Sequence, residues 1–224
     1  MRSRCRCEIV LILCSSVLFL LPFEARAQAP LAGTLQWQAN RARAQGSSTA
    51  EIVLGIESFD YTPTLSDIAK QSLFVDGLVE SSIVVATPDA FDVQTWYRVK
   101  VLARGQQPSA NRVAAKVFKI PEQLRDLQSD EIAVRTVGGT AVVDGISITE
   151  TAEPPLTVGA RYLFFLDPTT QPSIYDPTLA PPVQIDKGGT ILHPAKKTNF
   201  SRSIEGYRDA EELEREVQRA ARNH

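Results

Sequence analysis

The chain has 224 residues, 43% of them hydrophobic, with 24 Lys+Arg against 26 Asp+Glu and a formal net charge of −2. That length holds one domain with appendages, and the slightly acidic balance, with no basic patch, argues against nucleic acid or an anionic membrane surface as a partner. Two histidines and three cysteines, the cysteines all at or before position 14, restrict the metal and nucleophile chemistry open to the rest of the chain.

Arg2, Arg4 and Arg6 form a basic start, Ile9 to Leu21 an apolar core, and Ala25-Arg26-Ala27 a small-x-small site. Residues 1–27 are therefore expected to be a secretory signal peptide, cleaved after Ala27 or Ala29. The apolar run falls short of the ~20 residues that span a bilayer, so no stable membrane insertion is expected after cleavage. Cys5, Cys7 and Cys14 would leave with the leader, and so would any disulfide or Cys-ligated metal. The leader's four Lys+Arg and two Asp+Glu would leave too, giving a mature charge of about −4. A secreted or periplasmic location follows, with stability resting on the hydrophobic core alone.

Residues 28–64 are expected to form a tether. Pro30 to Ser48 is rich in Ala, Gln, Arg and Ser, with Trp37 its only large anchor, and reads as a frayed helix or a linker ending at Gly46-Ser47-Ser48. Glu51 to Ile56 is a short apolar run of strand type, and Ser58 to Thr64 is loop. Leu65 to Lys70 fits one helical turn and opens the main domain, expected over 65–195.

Leu73 to Val79 is the first clear strand, and Ile83 to Ala86 continues it or pairs with it. Gly77 interrupts the pattern as a bulge would. Thr95, Tyr97, Val99 and Val101 then share one face while Trp96, Arg98 and Lys100 share the other, the cleanest period of two in the chain. Positions 105–130 look like an insertion, with a short helix from Pro121 to Gln128 that has proline in its first turn. Ile132, Val134 and Thr136 alternate with their neighbours up to Gly138-Gly139, a turn, bulge or close backbone approach. Ala141 to Val143 and Ile146 to Ile148 flank the hairpin dipeptide Asp144-Gly145. Glu150 to Pro155 reads as loop, Leu156 and Val158 as a short strand, and Gly159-Ala160 as a turn. Tyr162 to Leu166 is apolar without alternation, which marks a strand covered on both faces, and Asp167-Pro168 ends it. Thr169 to Pro182 is expected to be a long surface loop, followed by short strands at Val183–Asp186 and Thr190–His193. In the tail, 196–224, Asp209 can cap a helix with Glu212 completing a capping box. Leu213, Val217 and Ala220-Ala221 form its narrow apolar face, suited to packing on a barrel surface.

No catalytic signature emerges. A Ser-His-Asp triad would have to use His193, since His224 is terminal, and no Gly-x-Ser-x-Gly elbow is present. Calcium would have to draw on Asp144, Asp167, Asp176 and Asp186, whose spacing is not that of an EF-hand. Asn199-Phe200-Ser201 is a formal glycosylation triplet. No catalytic residue, metal ligand or cofactor site is therefore assigned. The candidate binding surface is Trp96, Arg98 and Lys100, although a packing role for the tryptophan weighs more, and Gly138, Gly139 and Gly159 are assigned as structural turn glycines.

Ile132-Ala-Val-Arg-Thr-Val-Gly-Gly-Thr140, followed by Leu156-Thr-Val-Gly-Ala-Arg-Tyr-Leu-Phe-Phe-Leu166, resembles a group of uncharacterised exported bacterial proteins. Their pattern is a strand ending in Gly-Gly, a variable loop, then Val-Gly-Glu-Arg-Tyr-Leu-Leu-Phe-Leu; Ala160 stands here in place of the glutamate. Thr95 to Gly105 is similar to an upstream strand of the same group, and the resemblance runs from about Leu65 to Pro194. It implies an OB-like barrel similar to netrin-type modules and tissue inhibitors of metalloproteinases. Those inhibitors place an amino-terminal cysteine on the metal, which this mature chain lacks, so the resemblance carries no inhibitory mechanism. The expected fold is a small antiparallel OB-like β-barrel of five to seven strands with an appended C-terminal α-helix, the alternative being a β-sandwich. The expected function is an exported non-enzymatic binding or structural module acting on a protein or cell-envelope partner. The alternative is a hydrolase-type enzyme with a loop-borne site.

Overall fold

A computed structural model describes residues 29–53, 63–87, 89–105, 119–151, 155–178, 180–193 and 198–222. The leader and positions 106–118, half of the 105–130 insertion, lie outside them. In chain order the elements are α1 (Leu35–Ala44), β1 (Thr49–Val53), α2 (Leu65–Gln71), β2 (Leu73–Val85), β3 (Gln94–Arg104), β4 (Glu131–Val137), β5 (Gly139–Val143), β6 (Ile146–Thr151), β7 (Arg161–Pro168), β8 (Ile174–Pro177), β9 (Val183–Ile185), β10 (Ile191–Leu192), α3 (Asn199–Ile204) and α4 (Ala210–Arg222).

The alternating residues of β2 and β3 pair antiparallel as one long hairpin, with β7 on the far edge of β2 and β4 on the far edge of β3. β8 pairs with β4 in parallel and with β7 antiparallel, which closes β2–β3–β4–β8–β7 into a five-stranded barrel. The fold is mainly β with a C-terminal helix, and closure excludes the sandwich alternative. The β4–β8 pair is the one departure from an antiparallel ring.

Val75, Val79, Tyr97, Val99, Ile132, Val134, Tyr162 and Phe164 fill the barrel interior. The tyrosine hydroxyls serve the loop above it: Tyr97 accepts the Leu156 N–H and Tyr162 accepts the Thr157 N–H. The outer side chains of the same strands, Phe74, Leu163 and Phe165, lie under a layer of α2, α3 and α4. Phe165 meets Phe74 and Phe200 edge-on at 5.7 and 5.4 Å. Tyr162–Leu166 is thus buried from both sides, which is why its sequence shows no period of two. The β2–β3 register shifts at Asp76/Gly77, where a Cβ on Gly77 would lie 2.4 Å from Val99 Cγ1; a side chain there has no room.

The apolar stripe of α4, Leu213 and Val217, is buried against this aromatic layer, and Asp209 caps the helix by accepting the Glu211 N–H. Full reciprocal capping boxes occur instead at Thr64–Asp67 and Thr198–Ser201. Beneath α4, Arg161 donates both guanidinium arms to the Asp76 carboxylate, which is 3% exposed.

Four expectations are corrected. Within the expected tether the helix and strand readings hold and the linker reading does not: Leu35–Ala44 is a packed helix and Thr49–Val53 a strand, because Leu35, Ala39 and Ala42 have an apolar surface to bury against. Leu156 and Val158 lie in a turn leading to Gly159, not in a strand. The proline-rich stretch 169–182 contains β8, whose Ile174 is buried in a cluster with Trp96. Pro121 precedes a 3₁₀ turn at Glu122–Leu124, not an α-helix.

Candidate functional site

A second, smaller sheet projects from the end of the barrel. β5 and β6 form a hairpin across Asp144-Gly145, both at positive φ (48° and 79°) as a tight primed turn requires. β1 joins the outer edge of β6 in parallel, from Thr49 opposite Ser147 to Val53 opposite Thr151. One face of this sheet is apolar, and α1 covers it with Leu35, Ala39 and Ala42 against Val143, Ile146 and Ile148. Thr34 starts α1 by accepting the Trp37 N–H, and Arg41 stacks on the Trp37 ring. Gln36 and Arg43 then tie the helix to the hairpin tip, donating to the carboxylate and carbonyl of Asp144 at 2.7 and 2.6 Å.

Val93, fully buried just before β3, joins this sheet to the barrel. Its N–H donates to Glu150 Oε2 at 2.5 Å and its carbonyl accepts the Gly138 N–H at 2.7 Å. Thr95 donates its hydroxyl to the Gly138 carbonyl. Gly138 and Gly139, at φ 116° and 131°, carry the chain from β4 into β5, and a Cβ on Gly139 would come within 2.7 Å of Thr95 Oγ1. Glu150 is 2% exposed, and its Oε1 has no hydrogen-bond partner among the described residues. Burial pushes its carboxyl above the ordinary range; the Val93 N–H opposes this and the nearby Asp92 charge adds to it. Sequence reading took Glu150 for the start of a loop and so missed this anchor.

The other face of the small sheet is open. It carries Thr49, Glu51 and Val53 of β1, Ser147, Thr149 and Thr151 of β6, and Thr140 and Val142 of β5. Val53 and Val142 stand 70% and 71% exposed at opposite corners, with the Thr140–Thr149 hydroxyl pair between them. β1 ends the sheet on one side. The Ser48 carbonyl accepts the Ser147 N–H, so alternation turns the backbone groups of Ala50 and Ile52 toward β6 and those of Thr49, Glu51 and Val53 outward. Ser47 takes up both backbone groups of Thr49, which leaves Glu51 and Val53 to present theirs at an edge that pairs with no other strand among the described residues.

The surface expected at Trp96, Arg98 and Lys100 is not a common one. Trp96 is fully buried, packed with Leu124, Ala133 and Ile174, because the 120–127 segment lies across the outer face of β3 and β4. Arg98 holds that segment down, donating to Glu131 at 3.1 Å and to the Gln123 carbonyl at 2.7 Å. Lys100 alone is exposed, 3.9 Å from Asp130. Gly159, at φ 84°, forms the turn into β7. His193 is exposed at the end of β10. Asp144, Asp176 and Asp186 serve separate ends: the hairpin tip, the Arg135 guanidinium, and the turn N–H groups of Gly188 and Thr190. Among the described residues no three His, Cys, Asp or Glu side chains gather as a metal would need. In the glycosylation triplet, Phe200 and Ser201 are buried in α3.

No family model matches this chain, and no curated protein matches it.

Proposed function

We propose that the chain is an exported, non-enzymatic binding module that offers the small sheet to a protein of the cell envelope. The observation that carries this is the edge at Glu51 and Val53, unpaired among the described residues, beside an open Thr/Val face, an arrangement that accepts an extended segment of another chain by main-chain pairing. The basic, apolar and small-residue order of residues 1–27 supports export. The ring order supports an OB-like reading of the barrel: its fifth strand in chain order, β8, lies between the third and the fourth. OB barrels bind through the face of their second and third strands. Here Leu124 and its neighbours lie over that face on Trp96, which favours the projecting sheet as the ligand surface.

The test is capture of partners from a periplasmic extract with wild-type protein and with Glu51→Pro, which blocks the edge while its lost N–H serves no bond within the sheet. The reading expects a partner held by the wild type and lost with Glu51→Pro. Capture that is equal with both proteins overturns the edge as the surface. Turnover of a substrate panel that disappears in His193→Ala overturns the non-enzymatic reading.

A further inference from the structure

The β2–β3 hairpin has a second end. At the opposite end from the small sheet, ~33 Å along the 11 residues of β3, a cleft of about 210 Å³ opens between the start of β2, the end of β3, α2 and α4. Its floor is apolar, formed by Phe74, Val217 and Ala69. Ser72 lines it at 4% exposure, and the Ser72 hydroxyl has no hydrogen-bond partner among the described residues. Arg104 and Arg222 stand at the rim, neither with a carboxylate partner among the described residues, and no acidic side chain of those residues lines the cleft. The terminal carbonyls of α4 favour a cation such as Arg222. Arg104 comes from β3, and that field does not account for it.

We infer that this cleft binds a small organic carboxylate bearing a short aliphatic or aromatic group. Two guanidiniums supply planar forks for the carboxylate, the Ser72 hydroxyl adds a third donor from inside, and Phe74 and Val217 take the apolar portion. A bare inorganic anion would leave the floor unused, and an organic cation would meet two positive charges. The site does not depend on the small sheet and stands or falls separately from the envelope-partner reading.

The experiment is amide-resolved NMR titration of the protein with hexanoate, acetate and hexylamine. Hexanoate shifts the amides of Ser72, Phe74, Gly105 and Val217 and saturates in the millimolar range or below; acetate binds more weakly and hexylamine does not bind. The double variant Arg104→Gln/Arg222→Gln weakens hexanoate by about tenfold or more, the loss of at least one charge-assisted contact. Both side chains are exposed, so its spectrum elsewhere stays that of the folded protein. Ser72→Ala weakens hexanoate by a smaller factor. Three results overturn the site: no shift at these amides with millimolar hexanoate, acetate binding as tightly as hexanoate, or unchanged hexanoate affinity in the folded double variant.

Discussion

Replacing Glu150 with alanine strips the buried Val93 N–H of its acceptor, and an orphaned interior donor costs about 1–3 kcal/mol. The lost methylene contact adds about 1 kcal/mol, for a total of about 2–4 kcal/mol. Glu150→Gln behaves differently, because it keeps an oxygen for Val93 and removes the buried charge. In the fold this carboxyl titrates above its ordinary 4.5. A raised acid stabilises the folded state fully below that ordinary value, and the contribution is lost as pH rises through the folded-state value. The stability of wild type relative to Glu150→Gln is therefore greatest in acid and declines toward neutrality. Urea unfolding across the acid-to-neutral range measures this, with Trp37 in α1 and Trp96 on the barrel reporting the two regions. An alanine variant with an unchanged midpoint, or a wild-type advantage that grows with pH, refutes the anchoring role of Glu150.

Three further substitutions probe the rest of the scaffold. Gly77→Ala drives a methyl into Val99 Cγ1 and the Lys100 carbonyl and costs about 1–3 kcal/mol, read as a lowered thermal midpoint. Arg161→Ala leaves the buried Asp76 carboxylate without its two donors; because Arg161 itself is partly exposed, the cost is about 2–4 kcal/mol, read by urea unfolding at neutral pH. Leu213→Ala opens a void between α4 and the Phe165–Phe200 pair and costs about 2–5 kcal/mol by denaturant titration, with the barrel amides keeping their native shifts if the helix only loosens.

How much of this was legible depends on where the information lies. The runs that became β2, β3, β4 and β7 carry their own pattern, alternating or doubly apolar, and Tyr162–Leu166 declared its two covered faces through composition alone. β1 showed only as a strand-type run starting at Glu51, two residues late, and its pairing did not show at all, because its partner β6 lies about a hundred positions away, in a parallel pairing that no turn residue announces. β8 is four residues long and hides among prolines, yet it closes the barrel. The aromatic and basic residues Trp96 and Arg98 share a strand face, as their spacing said, but spacing does not reveal that the 120–127 segment covers that face. Glu150 follows Thr149 like the first residue of a loop, and only the position of Val93 gives its carboxylate a purpose.

The barrel is a closed, filled support, and in our proposal the edge of the small sheet is what a partner meets. Amide hydrogen exchange, with and without any partner that the proposed periplasmic capture yields, tests both halves at once. In the free protein Leu163, Phe164 and Phe165 exchange only through global unfolding while Glu51 and Val53 exchange rapidly, and the partner protects Glu51 and Val53. Rapid exchange at Leu163–Phe165 in the free protein, or a bound partner that leaves Glu51 and Val53 as fast as before, contradicts the account.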